Sequence, residues 1–184
     1  MQPINLINSD ALTWLKAQPD NLVAGVITDP PEAKDCAYVP EIIRECLRVS
    51  RGPVFVICPI IWNHEGAENA RHHPPYHPRC DHYSNWLTAC GPWKGVAPIL
   101  CWRQKAPTIK QPLPLLAATG HKKGLKPVAL YDDLLAVMPE GVILDPFCGE
   151  APCAIACRDA GRKFIGVDID DDAIKAATAR AITK

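Results

Sequence analysis

The sequence lacks a net charge and a long apolar run, and each absence excludes a class of protein. Its 20 acidic residues balance 20 basic residues, so it has no domain-wide basic field of the kind that marks duplex-binding proteins. The longest nearly apolar run, from Val54 to Trp62, is far shorter than the roughly 18–20 residues that span a membrane. The N-terminus also lacks the pattern of a signal peptide. We therefore expect an intracellular, cytoplasmic globular protein without membrane contact.

Paired cysteine motifs are also absent. The 9 cysteines include no C-x-x-C pair, and several lie inside apolar runs, where a thiol behaves as a small hydrophobic side chain. A group of histidines and cysteines lies between residues 72 and 90, but its spacing matches no standard zinc site. We interpret this group as part of a polar, substrate-facing loop and predict no metal. Its members are His72, His73, His77, Cys80, His82 and Cys90.

Strand-like and helix-like segments alternate along most of the chain. Apolar runs predict buried strands at 22–28, 52–58, 97–102, 141–145 and 163–169. Apolar residues at helical spacing predict helices between or after these strands, at 11–18, 39–49, 128–138, 151–160 and 171–182. A strand, a helix and a further strand imply a parallel crossover. The sequence therefore predicts an α/β fold with a Rossmann-like, doubly wound, mostly parallel sheet, in a single domain over residues 1–184.

Two segments break this alternation. Residues 59–95 are rich in Pro, His, Asn and Trp and predict a long functional loop or insertion, within which Tyr83–Ala89 has the pattern of a short helix. We interpret the aromatic residues of this loop as packing it, rather than as stacking on nucleobases. Residues 103–120 form a short, proline-rich connector that leaves little room for a separate recognition domain.

The stretch Thr28-Asp-Pro-Pro ends a strand for a physical reason. Each proline lacks the N–H that a ladder needs and fixes φ, so the chain leaves the sheet at Asp29. A second strand ends in the same Asp-Pro pair at Asp145, and Asp168 follows Gly149 by 19 residues. This spacing is typical of an acid that binds ribose hydroxyls, and it indicates a cofactor that contains adenosine. An aspartate at the end of a strand can also serve only to cap the next helix, so ribose binding and capping both stay open as interpretations of Asp168.

Three segments resemble the DNA amino-methyltransferases in the circularly permuted order called beta. The opening "LINSDALTWLKAQPDNLVAGVITDPPE" resembles the segment in which that family carries its D-P-P-Y motif. The segment "GHKKGLKPVALYDDLL" is similar to the family's G-H-P-T-Q-K-P-V-A-L segment. The segment "ILDPFCGEAPCAIACRDAGRKFIGVDIDDDAIKAATAR" is similar to its D-P-F-x-G-S-G-T-T segment. The resemblance covers most of the chain except about 59–95.

The resemblance implies a sheet of the S-adenosylmethionine-dependent methyltransferase type, with S-adenosylmethionine as cofactor. It also implies methyl transfer to an exocyclic base amine of DNA by base flipping, with adenine N6 favoured over cytosine N4. The catalytic residues implied are Asp29, Pro30, Pro31 and Glu32. The cofactor-binding residues implied are Asp10, Thr28, Asp29, Lys126, Pro127, Asp145, Pro146, Phe147, Cys148, Gly149, Asp168 and Ile169.

Two motifs depart from the family pattern. Glu32 stands where the family has an aromatic residue that stacks on the flipped base, an interaction worth about 1–3 kcal/mol per base. Glu150 and Ala151 stand in "GEAP" where "GSGT" is expected, so the second glycine is missing. One alternative is therefore a catalytically degenerate homologue that acts as a binding or regulatory subunit. Another is a methyltransferase that acts on a nucleotide or other small amine.

The expected partner is DNA, either as a duplex, as a single strand or as a nucleotide. The basic side chains of the connector region are interpreted as solvated surface rather than as a DNA-binding strip; they are Arg103, Lys105, Lys110, Lys122 and Lys123. The sequence leaves open whether the chain forms a homodimer or pairs with an active homologue.

Overall fold

The computed structural model describes residues 4–31, 39–57, 85–90, 96–103, 113–114 and 126–182. The strands in these ranges are β1 (Ile4–Asn8), β2 (Gly25–Thr28), β3 (Val54–Ile57), β4 (Asn85–Cys90), β5 (Val96–Trp102), β6 (Leu113–Pro114), β7 (Val142–Asp145) and β8 (Lys163–Asp168). The helices are α1 (Ala11–Lys16), α2 (Val39–Val49), α3 (Val128–Leu135), α4 (Pro152–Asp159) and α5 (Asp171–Ala181).

One sheet contains these strands, in the order β1-β8-β7-β2-β3-β5-β4-β6. The neighbours β1, β8, β7, β2 and β3 run parallel to one another. In contrast, β5 is antiparallel to both β3 and β4, and β6 is parallel to β4. The predicted Rossmann-like, mostly parallel α/β sheet is therefore confirmed. The extent of the single domain, residues 1–184, stays a prediction.

The central strands are covered by helices on both faces. Every residue of β2 and β3 is buried, which is typical of parallel strands with a helical layer on each side. Ile27 and Phe55 belong to the apolar cluster that includes residues of α3, α4 and α5. Their neighbours Val26 and Val54 belong to the cluster that includes residues of α1 and α2. Side chains alternate between the faces of a strand, so each strand contributes to both cores.

The prediction of a short helix at Tyr83–Ala89 is wrong. Asn85–Cys90 forms β4, which pairs antiparallel with β5 along its whole length of 6 residues. A helix this short has an unfavourable nucleus in isolation, whereas pairing with the next strand supplies a ladder of hydrogen bonds. Part of the predicted irregular region 59–95 therefore belongs to the sheet. The connector also contributes a short strand, Leu113–Pro114.

The helix starts follow the expected capping chemistry. The Asp10 side chain caps α1, because its Oδ1 accepts a hydrogen bond from the Thr13 backbone N–H at 2.8 Å. Pro127 is the N-cap of α3 and lies directly before the first residue of that helix. Among the helices of the described ranges, none is long and apolar enough to cross a membrane.

Candidate active site

Asp29 and Asp145 lie at the same edge of the sheet. The parallel strands β2 and β7 are neighbours, with Val26 in register with Leu144, so the chain leaves both strands at one edge. The two carboxylates are close enough for the charge of Asp29 to raise the pKa of Asp145. On the other side of β7, the parallel strand β8 ends in Asp168 at the same edge. Three strand ends therefore place three acids around one region.

Asp29 is partly buried and has Lys126 as its cationic partner. The Asp29 side chain is 24% exposed, and its Oδ2 accepts a hydrogen bond from Lys126 Nζ at 2.5 Å. Burial raises the pKa of Asp29, and the charge and hydrogen bond of Lys126 oppose that rise. The Lys126 side chain is only 11% exposed, so solvent screens this pair weakly. Pro30 is buried behind the carboxylate, whereas Pro31 is exposed.

Asp145 is more deeply buried than Asp29 or Asp168. It is 1% exposed, and its Oδ1 accepts a hydrogen bond from the Phe147 backbone N–H at 3.1 Å. Burial raises the pKa of Asp145 to about 7, and the charges of Asp29 and Asp168 add to that rise. The Phe147 bond and the Thr28 hydroxyl act in the opposite direction.

The Thr28 hydroxyl is incompletely satisfied. It lies close enough to Asp145 to lower the pKa of that carboxyl, yet within the described ranges its Oγ1 makes no hydrogen bond of normal geometry. Thr28 is 1% exposed, so the hydroxyl is a buried polar group beside the Asp145 carboxyl. A buried polar atom without a partner is a feature of ligand sites more often than of ordinary cores.

Two hydrogen bonds hold the turn that follows Asp145 against β8, one to a side chain and one to the backbone. The Gly149 N–H donates to Asp168 Oδ2 at 2.7 Å, and the Cys148 N–H donates to the Val167 carbonyl at 3.0 Å. Gly149 has a φ of +50°, and a Cβ built on it would have no other atom within 4 Å. The turn therefore presents an open cradle beside a carboxylate, the arrangement that suits close approach of a nucleotide.

The two departures in this turn have structural consequences. Ala151 adopts a φ of +53° although it is not glycine, which costs roughly 1–2 kcal/mol, and its side chain is completely buried. Glu150 is paired, because Arg180 of α5 donates to its carbonyl at 3.0 Å and lies 3.4 Å from its Oε2. Pro152 then begins α4 at the position that tolerates proline best. The turn thus keeps its shape without the second glycine.

The end of β1 lies beside the end of β8 at this edge of the sheet. Asn8 is in register with Asp168, and its Nδ2 donates to the carbonyls of Asp168 and Ile169 at 3.1 and 3.0 Å. Ile169 is 72% exposed, which is unusual for a large apolar side chain. Asp10 follows β1 and is occupied as the cap of α1, and the Thr13 hydrogen bonds lower the pKa of its carboxyl.

Two features of this edge were missed by the sequence reasoning. Tyr131 of α3 is 2% exposed; burial raises its pKa and the charges of Asp29 and Asp145 add to the effect. Its position in the apolar face of a predicted helix indicated burial but not the acids beside it. The contact of Lys126 with Asp29 was also missed, since the two residues are 97 positions apart and no local pattern connects them.

Several predicted residues lie outside the described ranges. These are Glu32, the histidines and Cys80 of the group at 72–90, and the basic residues Lys105, Lys110, Lys122 and Lys123. Arg103 is described and donates to the Ser50 carbonyl. The described part of the chain contains no cluster of three or more residues able to hold a metal ion. It does contain a shallow cleft of about 360 Å³, but Glu140 and Arg162 place that cleft at the opposite edge, where β7 and β8 begin.

The substitution Asp145→Asn is expected to remove a pH dependence of stability. The pKa of about 7 in the folded state exceeds the ordinary 3.8, so between these values the folded state binds more protons than the unfolded state. The resulting stabilisation is complete below the ordinary pKa and is lost as the pH rises to about 7. An asparagine oxygen still accepts from the Phe147 N–H. Near pH 8 the variant should therefore be more stable, on the order of a few kcal/mol.

Thermal unfolding at several pH values measures this effect. The advantage of Asp145→Asn over the wild-type protein should shrink steadily as the pH falls from about 8 toward about 4. The exposed acid Asp133 of α3 provides the control, since Asp133→Asn should change stability little at any pH. A pH-independent difference for Asp145→Asn would show that the carboxyl titrates normally.

Comparison with known proteins matches one segment of the chain to a family model. The family model N6_N4_Mtase, described as DNA methylase, matches residues 101–179. That segment contains Lys126, Asp145, Gly149 and Asp168, whereas Asp29 lies outside it. No curated protein matches the chain significantly.

Solved structures match nearly the whole chain at low identity. The M1.HpyAVI–SAM complex is 17% identical, with 98% of this chain and 100% of that chain covered and a TM-score of 0.69. TTHA0409 from Thermus thermophilus, described as a candidate DNA modification methylase and complexed with S-adenosyl-L-methionine, is 18% identical, with 98% and 95% covered and a TM-score of 0.72. The cytosine-N4-specific PvuII DNA methyltransferase is 11% identical, with 100% and 88% covered and a TM-score of 0.74. The segment 101–179 therefore matches a DNA methylase family model, and nearly the whole chain shares its fold with these solved structures.

Proposed function

We propose that the chain transfers a methyl group from S-adenosylmethionine to an exocyclic amine of a DNA base. The observation that carries the proposal is the placement of Asp29 and the turn after Asp145 at the ends of adjacent parallel strands. A methyl donor bound at the turn and an amine held at Asp29 would then face each other across one sheet edge. Such positioning supplies much of the acceleration in a bimolecular transfer.

The residues at the turn fit an adenosine-containing cofactor. The cradle beside Gly149 is open, and Asp168 lies next to it at the end of β8. Exposed Ile169 and half-buried Phe147 offer apolar surface on which an adenine ring can pack. The acids of this edge favour a cationic sulfonium group, which is the group that supplies the methyl. Cys148 and Pro146 shape the turn, and Asp10, Lys126 and Pro127 border the region.

The acceptor chemistry follows from the carboxylate at the end of β2. The lone pair of an exocyclic amine is delocalised into its base ring, so the nitrogen is a weak nucleophile. Asp29 and the Pro30 carbonyl would accept the two N–H hydrogens and hold the amine out of the ring plane. As the methyl group moves to nitrogen, positive charge develops there, and a fixed carboxylate stabilises it. The carbon–sulfur bond of the sulfonium would break to leave a neutral thioether, and the methylated nitrogen would release a proton to solvent, so no covalent enzyme intermediate is needed.

The choice of base is a finer part of the proposal. Adenine N6 is favoured over cytosine N4 only because of the family association of the D-P-P acid with adenine. A cytosine-N4-specific enzyme shares the fold, so the fold does not discriminate between the two amines. A second candidate, a homologue that binds without transferring, is favoured by Glu32, which replaces the expected stacking residue. A third is transfer to a nucleotide or small amine, favoured by the zero net charge.

The substitution Asp29→Ala should abolish transfer, because it removes the acceptor that orients the amine. Loss of one preorganised electrostatic group costs on the order of 10²–10³ in rate. Transfer of radiolabelled methyl from S-adenosylmethionine to duplex DNA, single-stranded DNA, RNA and nucleotides measures this and identifies the substrate class. Calorimetry should find that the variant still binds the cofactor. Retained transfer would mean that the amine is held elsewhere.

Gly149→Ala should weaken cofactor binding at least about tenfold, equivalent to about 1.4 kcal/mol, because the new methyl would fill the open cradle. Gly161→Ala is a matched control. Both glycines have positive φ, at +50° and +68°, and both have empty space at the Cβ position. Each change should therefore cost roughly 1–2 kcal/mol of stability. Gly161 precedes β8 at the opposite edge, so calorimetry with S-adenosylmethionine should detect no loss there. Equal cofactor affinities of the two variants would show that the turn is not part of the cofactor site.

Glu32→Tyr separates a weakened enzyme from a binding homologue. If lost stacking limits transfer, restoring an aromatic side chain should raise activity on unmodified DNA by roughly ten- to a hundredfold, equivalent to the value of one stacking contact. Glu32→Gln is the control, since it removes the charge without adding a ring. If Glu32→Tyr still transfers no methyl group but binds the cofactor normally, the result would favour the hypothesis of a regulatory subunit.

A further inference from the structure

We propose that Lys126 is a positioning residue that keeps the Asp29 carboxylate ionised and oriented toward the amine, and is not primarily a ligand of the cofactor. The inference rests on the proposed methyl transfer at Asp29. Its basis is the ion pair of 2.5 Å between Lys126 Nζ and Asp29 Oδ2, in which both side chains are more than three-quarters buried.

The lysine is held in place by the chain that follows it. Pro127 is buried and has φ −70° and ψ 144°, and a residue before proline is restricted to extended conformations. Helix α3 begins at the next residue and is fixed by buried Leu130 and Tyr131. The Lys126 side chain therefore starts from a rigid base at the edge of the sheet, and little conformational freedom is lost when it pairs with Asp29.

Asp29 needs a cation because burial disfavours its charged form. Asp145 lies beside it, and the charge of Asp29 raises the pKa of Asp145. Tyr131 packs from α3 and interacts electrostatically with both acids, while Asp168 acts on Asp145 from the end of β8. Among these groups Lys126 is the one that favours the ionised form of Asp29. A protonated Asp29 would donate a hydrogen at the oxygen where the amine must be accepted.

The pairing leaves room for the substrate. A carboxylate offers about four lone-pair positions on two oxygens. Lys126 uses one of those on Oδ2, so Oδ1 can accept an amine hydrogen while the ion pair stays intact. Lys126 therefore acts through Asp29 and need not touch the base.

The test compares Lys126→Met, which removes the charge at similar length, with Lys126→Arg, which keeps it. The side-chain carboxyl signal of Asp29, assigned with Asp29→Asn, is followed by NMR across the pH range. We expect the titration of Asp29 in Lys126→Met to move upward by at least about one pH unit and to change little in Lys126→Arg. The acidic limb of the methyl-transfer profile should move by the same amount, with partial recovery of the rate at high pH.

Other outcomes contradict the proposal in distinguishable ways. An unchanged Asp29 titration combined with a large loss of S-adenosylmethionine affinity would make Lys126 a cofactor ligand. Faster methyl transfer by Lys126→Met at every pH would show that the ion pair inhibits the reaction. If the wild-type protein transfers no methyl to any substrate, the proposed function fails, but the titration still decides the role of Lys126. If Lys126→Met does not fold, the Lys126 ammonium signal of the wild-type protein must respond to the titration of Asp29, and a constant signal overturns the inference.

Discussion

The parallel pairing of β7 with β2 on one side and β8 on the other is the constraint on which the candidate site depends. It makes three chain segments leave the sheet at one edge, each at an aspartate. A slip of one residue in either pairing would turn the side chains of a whole strand to the other face. The central strands are buried on both faces, so such a slip would disrupt both cores. The stability of the apolar interior therefore fixes the geometry of the polar edge.

That edge is electrostatically unfavourable without a ligand. Burial and mutual repulsion raise the pKa of Asp145 to about 7, and burial also raises the pKa of Asp29. A protein selected only for stability would gain by replacing either acid with a neutral residue. Such an edge would bind a cationic sulfonium group well, and it would stabilise a positive charge that develops on nitrogen. The energetic penalty is therefore best explained by function.

The sequence predicted features that depend on local signals. The βαβα unit from Val142 to Ala181 follows from alternating strand-like and helix-like patterns, and the strand ends at Asp29 and Asp145 follow from the proline after each acid. Strand β4 was not predicted, because its conformation depends on pairing with β5 rather than on its own pattern. The contact of Lys126 with Asp29 spans 97 positions. The elevated pKa of Asp145 depends on burial, which periodicity indicates only coarsely.

The turn after Asp145 keeps its shape although Glu150 and Ala151 depart from the motif that it resembles. Ala151 adopts the left-handed conformation that a glycine would adopt easily, at a cost of roughly 1–2 kcal/mol. Glu150 is paired with Arg180, so its charge is balanced by α5. The hydrogen bond from Gly149 to Asp168 is intact. Since the turn keeps its shape with both residues, the proposed methyl transfer depends most on the arrangement of Asp29 and Lys126. There, a largely buried lysine pairs with the carboxylate, as the proposed transfer requires.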